Sequence, residues 1–89
     1  MTEQEIKSLA IKAAEAKGFK VTRSNDYDGH YDLETESEII EIGTTTCAKA
    51  TVSIRRFTKD GWGKVPTANL LINIGCRTAT AERKINQII

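Results

Sequence analysis

Hydrophobic side chains in the first segment of the chain recur at the three-to-four-residue spacing of a helix. The apolar stripe that they form consists of Ile6, Leu9, Ala10, Ala13 and Ala14. Just before it, Thr2 and Glu5 stand at the spacing of a capping box, in which each side chain accepts a hydrogen bond from the other residue's backbone N–H. Gly18 offers the left-handed conformation that ends many helices. The pattern predicts a helix over residues 3–17.

Alternation of apolar and polar residues takes over after this helix and predicts strands. Turn-forming residues separate the alternating stretches: residues 24–29 are rich in Asn, Asp and Gly, Asp60-Gly61 marks a hairpin tip, and Pro66 suits the entrance of a strand. The predicted strands cover residues 19–23, 30–36, 38–42, 48–57 and 70–74.

A second apolar stripe predicts a short helix at the end of the sequence, with Thr78 as its N-cap. This stripe consists of Ala81, Ile85, Ile88 and Ile89. The element order is then α-β-β-β-β-β-α. Because short turns join the strands, we expect an antiparallel sheet with the two helices packed on one face. The expected architecture is a two-layer α+β sandwich that forms one compact domain over residues 1–89.

Composition narrows the classes of function. The chain has 89 residues, of which 39% are hydrophobic and 28% are charged, as in ordinary globular domains. Its net charge of +1 argues against coating of nucleic acid by bulk positive charge. No apolar run approaches the roughly 20 residues of a membrane-spanning helix. The first residues lack the pattern of a secretory signal, so we expect a cytoplasmic protein without membrane contact.

The two cysteines and the one histidine do not form a recognisable metal site in the sequence. Cys47 and Cys76 fit no Cys-x-x-Cys spacing, and with His30 they supply three of the four ligands of a structural zinc site. We expect both thiols to be reduced and structural. We interpret His30 as a polar turn residue, and we predict no catalytic residues, no metal site and no cofactor.

Charge is distributed unevenly along the chain. Residues 1–42 carry ten acidic and five basic side chains, whereas residues 43–89 carry two acidic and eight basic ones. One interpretation is internal neutralisation, in which the acidic strands face Lys49 and Arg55 across the sheet. The other is an acidic docking surface whose negative field attracts a basic protein. The candidate contact residues of this surface are Asp26, Asp28, Asp32, Glu34, Glu36 and Glu38.

The predicted hairpin around residues 55–64 combines basic and aromatic side chains. Trp62 is the sole tryptophan and lies between two glycines. Tryptophan often carries much of the binding energy of an interface, and basic residues beside an aromatic ring also suit phosphate contact with base stacking. The alternative is that Trp62 folds back on the protein while the bases are merely solvated. The candidate contact residues are Arg55, Arg56, Phe57, Lys59, Trp62 and Lys64.

Three apolar residues are predicted on the sheet face away from the helices. Ile39 and Leu71 point there by the alternation of their strands. Phe57 departs from the alternation of its own strand, which predicts a β-bulge near Arg55 and Arg56. Such residues mark a partner or dimer surface if they are exposed, whereas they cover one another if they are buried.

Two stretches approach the patterns of metal sites. The aspartates around Gly29 fall at ligand positions of a calcium loop, but Ser24 stands at the first position and Thr35 where a bidentate glutamate belongs. We therefore do not predict calcium binding. Asp32 followed by Glu41-Ile42-Gly43, after a helix and a Gly-Phe strand start, resembles the Asp and Glu-x-Lys pattern of metal-dependent nucleases.

The nuclease resemblance implies two carboxylates, Asp32 and Glu41, that hold Mg²⁺, and a lysine that stabilises charge at the attacked phosphate. Gly43 occupies the position of that lysine, so Lys49 would have to replace it. The resemblance thus favours a nuclease-like domain without activity.

The leading prediction is a non-enzymatic binding protein that regulates or inhibits a larger partner through the acidic surface and the hairpin that carries Trp62. The partner is expected to be a protein, and it could be one that handles nucleic acid. The second prediction is a nucleic-acid-binding protein that uses the same hairpin, and the third is the nuclease-like domain. A homodimer is a further option, because association would bury apolar surface that so small a chain cannot cover.

Overall fold

The computed structural model describes residues 1–25, 29–45 and 50–89. Its elements are α1 (Glu3–Ala16), β1 (Lys20–Asn25), β2 (His30–Glu34), β3 (Glu38–Thr45), β4 (Thr51–Thr58), a 3-10 turn (Lys59–Gly61), β5 (Ala68–Asn73) and α2 (Thr78–Ile88). The predicted α+β fold, with five strands between two helices, is confirmed. Asp26, Asp28, Cys47 and Lys49, which carry predictions above, lie outside the described residues.

The five strands form one sheet in the order β1-β2-β3-β4-β5, and all neighbouring strands are antiparallel. The connections are too short for the crossovers that parallel neighbours require, so the chain meanders. The pairing also fixes which residues share a row across the sheet. Asp32 lies opposite Glu41, Glu41 opposite Arg55, and Arg55 opposite Asn69.

Both helices pack on one face of the sheet and bury its apolar side chains. Every second residue of a strand points into this layer, because successive side chains alternate between the two faces. Full burial of one large aliphatic side chain contributes roughly 1.5–3 kcal/mol, so this layer is the main source of stability. It consists of Ile6, Ala10, Ala14, Phe19, Leu33, Ile40, Ile42, Val52, Ile54, Ile72, Ala81, Ile85 and Ile88.

The two helices begin in different ways. In α1 the Thr2 hydroxyl accepts a hydrogen bond from the Glu5 N–H at 3.2 Å, and the Glu5 carboxylate accepts one from the Thr2 N–H at 2.9 Å, so the predicted capping box is confirmed. The bond from the Thr2 backbone is the main reason that the pKa of Glu5 lies below its ordinary value. In α2 the predicted cap is wrong, because Arg77 is the N-cap without a side-chain capping bond and Thr78 is already helical.

The predicted β-bulge near Arg55 and Arg56 is also wrong. β3 and β4 pair without a register shift along their whole length, so Phe57 lies opposite Ile39 on the face away from the helices. The alternation of β4 is therefore intact, and Phe57 is an apolar residue on the open face. The register shift of the described sheet lies between Val21 and Arg23 in β1.

A buried lysine ties α1 to the sheet. Lys7 is 1% exposed, and its ammonium donates a hydrogen bond to the Gly29 carbonyl at 2.5 Å and lies 3.7 Å from the Glu3 carboxylate. Glu3 in turn accepts a hydrogen bond of 2.9 Å from the Thr44 hydroxyl. A buried charge is tolerated only when it is paired. These contacts explain why a lysine follows Ile6 on the buried side of the helix.

The edge formed by β5 is partly closed by α2. The Lys84 ammonium donates a hydrogen bond of 3.3 Å to the backbone carbonyl of Leu71. An edge carbonyl without a partner would be available to a strand from another molecule. The lysine therefore occupies one of the acceptors that such pairing would need.

We expect Lys7→Ala to lower the free energy of unfolding by roughly 2–4 kcal/mol, because it leaves a cavity and an unpaired Gly29 carbonyl. Lys12→Ala, at an exposed position of the same helix, is the matched control and should change stability by less than about 0.5 kcal/mol. Urea unfolding followed by circular dichroism measures both. Equal stability of the two variants would show that the buried ammonium does not hold the helix to the sheet.

Candidate functional site

Charged side chains line up across the sheet face that the helices leave open. Asp32 on β2, Glu41 on β3 and Arg55 on β4 are direct neighbours in the register, and all three point away from the helices. His30 precedes Asp32 by two residues and thus shares its face. The nuclease resemblance points to Asp32 and Glu41 but not to His30. His30 is the first residue of β2, where the predicted strand over residues 30–36 also begins, and it is not a turn residue.

His30, Asp32 and Glu41 form a compact cluster. His30 Nε2 lies 2.8 Å from Asp32 Oδ1, and Asp32 is 2% exposed. One potential ligand atom from each of the three residues lies within 4.8 Å of the other two. A ring nitrogen and two carboxylates at this separation can share a proton or bind one cation.

A cleft of about 200 Å³ opens beside this cluster. Gly43 lines this cleft, and a Cβ at this position would lie 3.2 Å from His30 Nδ1, which is tighter than an ordinary contact. Gly43, which stands where the nuclease pattern has its lysine, therefore forms part of the lining of the cleft. The cleft is lined by His30, Glu41, Gly43, Thr44, Thr45, Ser53 and Arg55.

The segment after β4 folds back over one end of the open face. The Lys59 N–H donates to the Ser37 carbonyl at 2.9 Å, and its ammonium lies 3.3 Å from the Glu34 carboxylate. The Trp62 indole N–H donates to Glu41 Oε2 at 2.9 Å. Trp62 nevertheless stays 44% exposed. Trp62 therefore folds back on the protein, as one of the two interpretations has it, and keeps part of its surface exposed; its role in an interface stays a prediction.

This fold-back accounts for the apolar residues of the open face. Ile39 and Phe57 are cross-strand neighbours, and both are buried outside the main core. Ile39 also lies opposite Glu34 on β2. The segment with the 3-10 turn passes over these residues, because Lys59 contacts Glu34 and Trp62 contacts Glu41. Phe57, at 2% exposed, has no side-chain surface to offer a partner, which corrects its assignment as a contact residue. Leu71 remains exposed.

Several of the predicted contact residues are paired with one another. Arg56 makes two hydrogen bonds to the Glu38 carboxylate, at 2.7 and 2.9 Å, and a third to the Ile88 carbonyl at 3.0 Å. The hydrogen bonds between the two side chains lower the pKa of Glu38 and raise that of Arg56. This pair lies at the helix side of the sheet, where the guanidinium also covers the Phe19 ring at 5.6 Å.

The acidic surface is thus partly neutralised within the molecule. Glu34 has a lowered pKa because it accepts a hydrogen bond from the Thr22 hydroxyl and lies beside Lys59. Within the described ranges, Arg56 and Lys59 pair with the acidic strands, whereas the predicted partner Arg55 does not; the other predicted partner, Lys49, lies outside the described residues. Among the described residues, Glu36, Arg55 and Lys64 are exposed and form no ion pair.

A second groove continues from the cleft toward β5. It has a volume of about 470 Å³, and it shares Thr45, Ser53 and Arg55 with the cleft. Its far wall carries Pro66, Asn69, Leu70 and Leu71. The open face therefore has one continuous depression, with the acidic cluster at one end and an apolar wall at the other.

Comparisons with known proteins identify no relative. No protein family, no curated protein and no solved structure matches the chain. None of the helices within the described ranges is long and apolar enough to cross a membrane. Cys76 is half-buried and free.

The Glu38–Arg56 pair predicts a specific dependence of stability on pH. Because the pKa of Glu38 is lowered from its ordinary 4.5 by the Arg56 hydrogen bonds, its contribution is complete above about pH 4.5 and disappears as the pH falls through the folded-state pKa. Glu38→Gln should lose roughly 1 kcal/mol at pH 7 and should show a weaker loss of stability below pH 4.5.

Chemical unfolding at a series of pH values between 7 and about 3 tests this expectation. Glu36→Gln is the matched control, because Glu36 is exposed and unpaired among the described residues. The pair contributes nothing if Glu38→Gln and Glu36→Gln follow the same curve as the unmodified protein.

Proposed function

We propose that this protein is a non-enzymatic binding domain that recognises a larger protein partner through the groove on the open face of its sheet. The observation that carries this proposal is the half-exposed Trp62, whose indole is bonded to Glu41 at the cleft that adjoins this groove. Regulation or inhibition of the partner is the role expected of a binding domain of this size, and a cytoplasmic location stays a prediction.

The hairpin that presents Trp62 is held in place before any partner arrives. Lys59 and Trp62 bind it to β2 and β3, and the Thr67 N–H donates to the Arg56 carbonyl at 2.8 Å where the chain enters β5. A preformed loop loses little conformational freedom on binding, so more of the contact energy appears as affinity. Exposed tryptophan in such a position is typical of residues that dominate an interface.

The residues of the groove and of the hairpin favour a partner of a particular chemistry. Val65 and Leu71 are large apolar residues that are 77% and 53% exposed; Leu71 lines the groove, and Val65 precedes the lining residue Pro66 in the sequence. Arg55 lines the groove, and Lys64 lies on the same hairpin; both are cations without an ion pair among the described residues. A segment with apolar side chains next to one or two carboxylates would satisfy both features.

The contact surface that we propose does not include most of the acidic side chains of β2 and β3. Glu34 and Glu38 already bind cations of the chain itself, and Asp32 is buried, so docking through them would require breaking existing contacts. Glu36 remains available. The contacts that we propose are therefore those of Trp62, Arg55, Lys64, Val65 and Leu71.

The same geometry weakens the nucleic-acid alternative. Arg56 and Lys59 are engaged in ion pairs. Of the basic residues predicted on the hairpin, Arg55 and Lys64 are the two that form no ion pair among the described residues. Binding through two phosphate contacts depends only weakly on salt and is correspondingly weak. Nuclease treatment of the cross-linked adducts distinguishes a nucleic-acid partner from a protein partner.

Photo-cross-linking in cells that express the protein tests the proposal. A photoreactive amino acid is placed at Leu71, at Lys64, or at Lys12 as a control on an exposed position of α1. We expect the same protein adduct from positions 71 and 64, resistant to nuclease treatment, and none from position 12. Arg55→Glu should abolish it, and Trp62→Ala should weaken the purified complex by roughly thirtyfold, or about 2 kcal/mol.

Other adducts would overturn the proposal in defined ways. Cross-links that disappear with nuclease would establish the nucleic-acid function. A cross-link between two copies of the chain would identify the homodimer as the occupant of the groove. A partner that remains bound to both Arg55→Glu and Trp62→Ala, each shown to unfold cooperatively like the unmodified protein, would exclude this groove as the contact surface.

A further inference from the structure

We infer that His30, Asp32 and Glu41 bind a divalent first-row transition-metal ion such as Zn²⁺ or Mn²⁺, and that the ion competes with Trp62 for Glu41. These three residues form the cluster on the open face of the sheet, and metal binding there does not depend on the proposed protein partner. It replaces the expectation that the chain binds no metal.

The three ligands are placed by the sheet and not by loops. His30 and Asp32 are two residues apart on β2 and share a face, and Glu41 on β3 is directly opposite Asp32. Directly opposed residues of antiparallel strands have Cβ atoms only about 5 Å apart. The resulting cluster brings the ligand atoms to within 4.8 Å of one another, so small side-chain rotations suffice to enclose one ion.

The donor set selects the class of metal. One imidazole nitrogen with two carboxylates suits Zn²⁺, Mn²⁺ or Fe²⁺, whereas Mg²⁺ and Ca²⁺ prefer ligand sets made of oxygen alone. The two carboxylates would balance the charge of a divalent ion. Asp32 is almost fully buried, and within the described residues its carboxylate contacts His30, so a bound cation would provide it with a positive charge.

The cleft over Gly43 provides the open side that such an ion needs. Three protein ligands leave at least one coordination position for water or another ligand. That position can face the cleft of about 200 Å³, which His30 and Glu41 line and Gly43 keeps free of side chain. Ser53 and Arg55 line the same cleft, so an anion bound to the metal would meet a hydroxyl and a guanidinium.

Trp62 couples the site to the hairpin. Glu41 Oε2 accepts the indole N–H at 2.9 Å, and a cation that takes this oxygen weakens the bond that holds Trp62. Coupling of this kind is reciprocal, so removal of the indole N–H should strengthen metal binding. Because the chain has one tryptophan and one histidine, indole fluorescence and the imidazole proton resonances each report on a single known residue.

The test is a titration of chelator-treated protein at pH 7.5 with ZnCl₂ and with MnCl₂, followed by Trp62 fluorescence, His30 NMR and calorimetry. The protein carries Cys47→Ser and Cys76→Ser so that thiols do not compete for Zn²⁺. We expect one ion per chain, a dissociation constant in the micromolar range or tighter, and at least tenfold weaker binding of Mg²⁺ and Ca²⁺.

Two conservative variants remove ligand charge at little structural cost. Asp32→Asn and Glu41→Gln should each weaken binding by tenfold or more, and Glu41→Gln still offers an oxygen to the Trp62 indole. Glu36→Gln, at an exposed carboxylate on the turn between β2 and β3, is the control and should leave binding unchanged. Trp62→Phe should bind the ion more tightly than the unmodified protein when calorimetry is used, and unchanged affinity would exclude competition between the ion and Trp62.

The inference is overturned if no saturable binding occurs below about 1 mM, the range of weak nonspecific association. It is also overturned if Glu41→Gln, with an intact unfolding transition, binds the ion as well as the parent does. If Asp32→Asn fails to fold, the Glu41→Gln result decides. Failure of the metal site leaves the cross-linking at Leu71 and Lys64 unaffected, so the two proposals are separable.

Discussion

A five-stranded sheet has two faces, and the two helices of this chain pack on the same one. The energy of burying aliphatic side chains under α1 and α2 commits every second strand residue to that layer. The other face must be covered by other means or remain open. The turn after β4 covers one end, over Ile39 and Phe57, and the remaining area carries the cleft, the groove and nearly all the chemistry that the described residues offer.

The hydrogen bond between Trp62 and Glu41 connects the covered end of that face with the open end. In this bond the Glu41 carboxylate positions the Trp62 ring, and the same carboxylate also lies opposite Asp32. An ion bound as we propose would therefore compete with the indole for one oxygen atom. In that case, occupation of the cluster of His30, Asp32 and Glu41 and the orientation of the hairpin would be linked.

Local patterns were sufficient to predict the fold, because helical spacing, strand alternation and the capping box depend on residues close in sequence. The register was not predictable from these patterns, since a shift of one residue turns every side chain of a strand to the other face. The register decides that Glu38 meets Arg56 and that Asp32 lies beside Glu41. The burial of Lys7 depends likewise on a carbonyl 22 residues away.

The hydrogen bond of Lys84 to the Leu71 carbonyl bears on whether molecules of this protein associate through their sheet edges in concentrated solution. A short outer strand with free carbonyls is a template on which equivalent strands of other molecules can stack into fibrils. The ammonium group at this edge acts as a gatekeeper against that process. Acetylation of Lys84 would remove its positive charge, and we therefore expect it to favour strand-to-strand association at the edge formed by β5.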